Sequence, residues 1–123
     1  TPEYEFKTLI RDFLHKCTVS VDRANLLDGA CYYDEHTKEV EIRIHRLMEY
    51  LKAIRDFRTL KKVCFDLKKM LNAKKVPGSV KDKFGKKTSC PTWRFKGLKN
   101  KEDFKITETP DQKQIEDKKD EEN

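Results

Sequence analysis

Four cysteines, at positions 17, 31, 64 and 90, are the residues best able to do chemistry in this chain. Thiolates ligate metals, attack electrophiles or oxidise to disulfides, and spacing helps to tell these roles apart. The gaps of 14, 33 and 26 residues contain no CxxC pair, so a zinc site is not expected. A Cys/His nucleophile pair would need His15, His36 or His45, and these lie in charged segments suited to a surface role. An even cysteine count on a small, charge-rich chain reads instead as two disulfides, which implies secretion. Three pairings are open. Cys17–Cys64 with Cys31–Cys90 is favoured, because it ties the first helix to the fourth and pins a late loop. The opening Thr1-Pro2, with neither Met nor an apolar leader, is what a mature secreted chain would show.

Other catalytic constellations are missing from the pattern. Ser20, Ser79 and Ser89 stand outside any GxSxG frame, and the 4 glycines form neither GxGxxG nor GxxxxGK[ST]. The carboxylates mostly sit beside lysines at helical spacings, where ion pairing along the helix is the ordinary explanation. No enzyme activity, cofactor or metal is expected. No window approaches the ~18 apolar residues of a membrane span, so no membrane partner is expected either.

Charge is the stronger signal. The 123 residues carry a net +6, but residues 58–106 hold 16 basic and 4 acidic groups, a balance of +12. Residues 107–123 hold 3 basic and 7 acidic groups, a balance of −4. Such a cationic block attracts acidic protein surfaces, polyanions or nucleic acid. Its most ordered part is a predicted helix over residues 60–71. Leu60, Val63, Cys64, Leu67, Met70 and Leu71 make its apolar stripe, with Lys61, Lys62, Lys68 and Lys69 opposite. Phe65 falls among those lysines. Either the C-terminal segment folds back over the ring, or the ring anchors a cationic binding patch. Further on, Trp93, Arg94, Phe95 and Lys96 alternate aromatic and basic. Trp93 reads as core beside a disulfide, although such a run could also stack on bases.

The elements that must position these residues read as helical. Phe6, Leu9, Ile10, Phe13, Leu14 and Cys17 share one stripe of a first helix. A short helix follows Asp22 and stops at Gly29, and residues 31–37 read as a polar connection. Val40, Ile44, Leu47, Met48, Leu51 and Ile54 make a third helix. Its phase slips near Phe57, and Thr59 can cap the fourth. Val76-Pro77-Gly78 ends that fourth helix. One more helical turn would place Val80 and Phe84 inward. An extended strap from Cys90 onward would then let Trp93, Leu98, Phe104 and Ile106 pack. The expected fold is therefore all-α: a small bundle of about four helices stapled by two disulfides, with a C-terminal strap. The domain spans residues 1–106, and residues 107–123 form a disordered acidic tail.

Size, four cysteines, a lysine-rich second half and a polar tail together resemble the anophensin/albicin family of anopheline mosquito salivary proteins. That resemblance covers most of residues 1–106. It implies secretion in saliva and noncatalytic inhibition of a host plasma cascade. The expected partner is then a component of the alternative complement pathway, with a contact-phase coagulation factor second. A carrier of small apolar ligands is a further alternative. A polyanion is a possible partner; nucleic acid is not expected, and the protein is expected to be a monomer. The binding face expected from wheel and charge comprises Lys61, Lys62, Phe65, Lys68, Lys69, Trp93, Arg94 and Lys96.

Overall fold

The computed structural model describes residues 1–96 and the short strand at Ile106–Thr107. It is a mixed α/β fold, which corrects the all-α expectation. Helix α1 spans Pro2–Lys16, α2 Ile44–Ala53 and α3 Leu60–Leu71, with a 3-10 turn at Arg23–Asp28. The strands are β1 (Val19–Ser20), β2 (Cys31–Asp34), β3 (Glu39–Ile42), β4 (Lys74–Val76), β5 (Ser79–Lys81), β6 (Lys87–Ser89), β7 (Thr92–Lys96) and β8 (Ile106–Thr107). Six of them form one sheet in the order β4-β7-β3-β2-β1-β8, while β5 and β6 pair as a separate hairpin. The β1–β2 and β1–β8 pairs are parallel and the rest antiparallel.

Two segments expected as connection and helix form a hairpin instead. Glu39-Val40-Glu41-Ile42 alternates with period two, and its β-branched residues suit a half-buried strand. Tyr33 pairs with Val40 and Asp34 with Glu39. The turn between them is set by Asp34, whose Oδ1 accepts from the His36 N–H at 3.0 Å. Lys38 takes φ 59° there and donates its N–H to the Asp34 carbonyl at 2.7 Å.

The expected strap is an internal strand. β7 lies between β3 and β4, with Trp93 opposite Ile42 and Phe95 opposite Val40. The extra helical turn expected after Gly78 is the β5–β6 hairpin. It buries Val80, while Phe84 at its tip is 87% exposed rather than inward.

One face of the sheet carries the main core. Val19, Cys31, Tyr33, Val40, Ile42, Trp93 and Phe95 meet Phe6, Ile10, Phe13 and Leu14 of α1, Leu47 and Leu51 of α2, and Val63 and Leu67 of α3. Thr1 caps α1 by accepting the Tyr4 N–H at 3.2 Å, and Thr59 caps α3 by accepting the Lys62 N–H at 3.1 Å. A second, smaller cluster of Leu26, Val80 and Cys90 joins the 3-10 turn to the β5–β6 hairpin. Leu98 and Phe104 lie outside the described residues, as does the expected acidic tail beyond Thr107.

Candidate binding face

The α3 segment builds the face that the sequence points to. Val63 and Leu67 enter the core, which turns Lys61, Lys62, Phe65, Lys68 and Lys69 to solvent. Phe65 is 53% exposed, and the ammonium groups of Lys62 and Lys69 each lie 5.5 Å from its ring centroid. A cation at that distance over a ring is attracted by its quadrupole, so the lysines orient the ring as well as surround it.

The lysines are not equivalent. Lys62 Nζ lies 3.0 Å from Oδ1 of the buried Asp66, which also has Arg58 at 3.8 Å. Lys62 therefore neutralises a buried carboxylate and is partly committed to the fold. Lys68 Nζ stands 5.6 Å from the ring centroid of Trp93, at the edge of the core. Lys61 and Lys69 are exposed and carry no ion pair among the described residues. The basic sequence continues into Lys74 and Lys75 of β4, which pairs with β7 alone among the described residues.

Three expected binding residues belong elsewhere. Trp93 is only 3% exposed and packs in the main core, so it offers no anchor to a partner. Phe95 is buried beside it, which removes the aromatic run as a platform for bases. Arg94 points to the other face of the sheet, where acidic side chains occupy its whole guanidinium. Its Nη2 pairs with Asp34, its Nε with Glu39 at 3.0 Å and its Nη1 with Glu41 at 3.3 Å. Lys96 is exposed, but its Nζ donates to the Thr37 carbonyl at 3.2 Å across the sheet, away from α3.

Glu41 is the centre of that opposite face. It is 1% exposed, and Arg23 grips it with two bonds, Nε to Oε2 at 3.1 Å and Nη2 to Oε1 at 3.2 Å. Thr92 Oγ1 donates to Oε1 at 2.7 Å. Burial pushes the carboxyl up, but Arg23, Thr92 and Arg94 together hold it below the usual carboxylate range.

The cysteines also differ from expectation. No S–S bond joins any two of the four in this structure, and Cys17 Sγ lies 2.9 Å from Cys31 Sγ. Cys64 packs at the margin of the main core, and Cys90 is buried in the smaller cluster. The Cys17–Cys64 and Cys31–Cys90 pairing is thus corrected: the chain brings Cys17 to Cys31 because β1 and β2 run side by side, with Val19 opposite Cys31. His15, His36 and His45 are all exposed. Among the described residues, no group of three or more His, Cys, Asp or Glu could hold a metal ion, and no helix is long and apolar enough to cross a membrane.

Sequence reasoning missed an apolar group at the start of α3. Ile54, Phe57 and Leu60 are all exposed, Phe57 at 77%, although Ile54 was expected in the apolar stripe of the third helix and Leu60 in that of the fourth. The phase slip near Phe57 was the available sign for that residue, and Ile54 and Leu60 sit at the two helix ends that flank it, as the α2 C-cap and the first residue of α3.

No family model, curated protein or solved structure matches the chain.

Proposed function

We propose that the chain is a noncatalytic protein-binding module that docks the outer face of α3 on an acidic partner surface. The observation that supports this reading is the half-exposed Phe65 ring with two lysine ammonium groups over it. A solvated charged face gives no reason to hold a phenyl ring at its centre. An interface does: a desolvated aromatic supplies affinity, and the surrounding charges supply steering and register. The burial of Trp93 and Phe95 favours this reading over base stacking.

The family resemblance supplies the first partners to try, an alternative-pathway complement component and then a contact-phase factor, with secretion as the setting. Those targets rest on size, the four cysteines and charge layout.

The test is capture from plasma on immobilised protein, followed by kinetics with the captured component. Phe65→Ala should raise the dissociation rate and cost about 2 kcal/mol or more of binding. Because the ring is half exposed, it should leave the melting temperature nearly unchanged. Lys61→Glu with Lys69→Glu should slow association, since neither lysine carries an ion pair among the described residues. A partner bound equally well by both variants would refute the α3 face as the binding site.

A further inference from the structure

We propose that Cys17 and Cys31 form a redox couple that exchanges with low-molecular-weight disulfides and closes reversibly into an intrachain disulfide. Four observations carry this. The two sulfurs are already 2.9 Å apart, with one thiol donating to the other. The two backbones are held together independently of the sulfurs, because the Cys31 N–H donates to the Thr18 carbonyl at 2.9 Å and Val19 pairs with Cys31. Cys17 is partly exposed and Cys31 buried, so one thiol is open to attack and the other is not. Finally, Cys17 lines a pocket with Phe13, Lys16, Arg46, Glu49 and Tyr50, which gives a small reagent a place to sit.

The pocket suits an anionic disulfide. Arg46 is fixed by donating its Nε to the Gly29 carbonyl at 3.2 Å, and its Nη1 pairs with Glu49 at 3.1 Å. Lys16 adds a second cation at the wall. The same surroundings sort the two thiols. The hydrogen bond shared with Cys31 lowers the Cys17 thiol, overcoming burial and aided by Arg46. The shared bond and burial push Cys31 well up. Cys17 is the attacking thiolate and Cys31 the resolving thiol.

The exchange balances with glutathione disulfide as oxidant. The Cys17 thiolate attacks one glutathione sulfur, so a Cys17–glutathione bond forms and the glutathione S–S bond breaks. The departing glutathione thiolate takes up a proton. Cys31 then loses its proton to solvent and attacks the Cys17 sulfur, releasing the second glutathione. Two protein thiols are oxidised to one disulfide, and one glutathione disulfide is reduced to two thiols.

The experiment uses the reduced full chain with glutathione disulfide under native conditions, followed by alkylation and peptide mapping by mass spectrometry. The expected result is loss of two hydrogens, a Cys17–Cys31 linked peptide, and Cys64 and Cys90 still open to alkylation after unfolding. Excess reduced glutathione should reverse it. Cys31→Ser should stop at a single glutathione adduct on Cys17. Cys17→Ser should gain none in the same time, with circular dichroism confirming that both variants are folded. Linkage through Cys64 or Cys90 would overturn the proposal, as would unchanged alkylation of Cys17 or a bond that reduced glutathione cannot open. The wild-type map decides these points even if a variant fails to fold.

Discussion

Replacing Glu41 by Gln removes one charge from the most connected side chain on the second face of the sheet while keeping its volume. The carboxylate accepts from Arg23 at 3.1 and 3.2 Å, from Thr92 at 2.7 Å and from Arg94 at 3.3 Å. An amide can accept on one atom only and turns a donor toward donors on the other. At least one charge-assisted contact is lost outright, and such bonds are worth about 1.5–3 kcal/mol each. Breaking a buried ion pair costs about 3–5 kcal/mol when the partner is stranded. Here the partners are only partly stranded: the Arg23 side chain is 34% exposed, and Arg94 keeps Asp34 and Glu39. The expected loss is therefore about 2–4 kcal/mol, or roughly 10–25 °C in melting temperature for a domain near 100 residues. Urea unfolding read by circular dichroism measures it. Glu39→Gln is the control: that carboxylate is more exposed and pairs, among the described residues, with Arg94 alone, so about 1 kcal/mol or less is expected. A Glu41→Gln chain within 0.5 kcal/mol of wild type, about the scale of an ordinary surface change, would refute the network as a stabilising element.

The same network sets an acid limit on stability. Burial raises Glu41, but Arg23, Thr92 and Arg94 hold it low. Asp34 is likewise depressed, by Arg94 and by the His36 and Thr37 N–H groups against a smaller burial effect than their sum. A carboxyl whose folded pKa lies below its unfolded value of about 4 binds fewer protons when folded. Its stabilisation is complete above that unfolded value and disappears as pH falls through the lower folded one. Wild type should thus lose stability below about pH 4, while Glu41→Gln loses less over the same range. Curves that stay parallel down to pH 2 would assign the acid limb to other groups.

Three further outcomes follow from the packing. Trp93, the single tryptophan, is buried, so native emission should be blue-shifted and should move red on unfolding; an exposed-type native spectrum would contradict its place beside Phe95. Gly29 has φ +92°, and a Cβ there would stand 3.4 Å from the Arg46 guanidinium, so Gly29→Ala should cost about 1–2 kcal/mol in thermal unfolding, with no loss expected only if the turn rearranges. Oxidation of Cys17 to Cys31 closes a loop of about 15 residues and should raise stability by about 3 kcal/mol over the reduced chain, measured by paired urea melts with and without reductant.

The helices were legible because their cause is local. The stripe from Phe6 to Leu14, the caps at Asp22 and Thr59, and the stop at Gly29 all depend on residues within a turn or two. The sheet was not, because its cause is distant. Val40 and Ile44 stand four apart, which fits a helix as well as a strand leading into one, and the carboxylates of Glu39 and Glu41 pass for the outer face of that helix. Only their partners decide between the readings. Glu41 lies opposite Arg94, and Glu39 opposite Lys96, more than 50 residues away. The run Thr92-Trp93-Arg94-Phe95-Lys96 alternates just as Glu39-Val40-Glu41-Ile42 does, with aromatic residues facing aliphatic ones and bases facing acids. Two alternating runs of opposite charge are a strand pair in waiting, since each supplies the other's apolar face and its counter-charges. The same comparison revises the binding site. An arginine whose carboxylate partners stand across a strand pair belongs to the fold. A lysine beside an exposed ring, with no carboxylate partner among the described residues, is what remains for recognition. By that criterion Arg94 and Trp93 leave the candidate face, Lys62 is shared with Asp66, and Lys61, Phe65 and Lys69 stay.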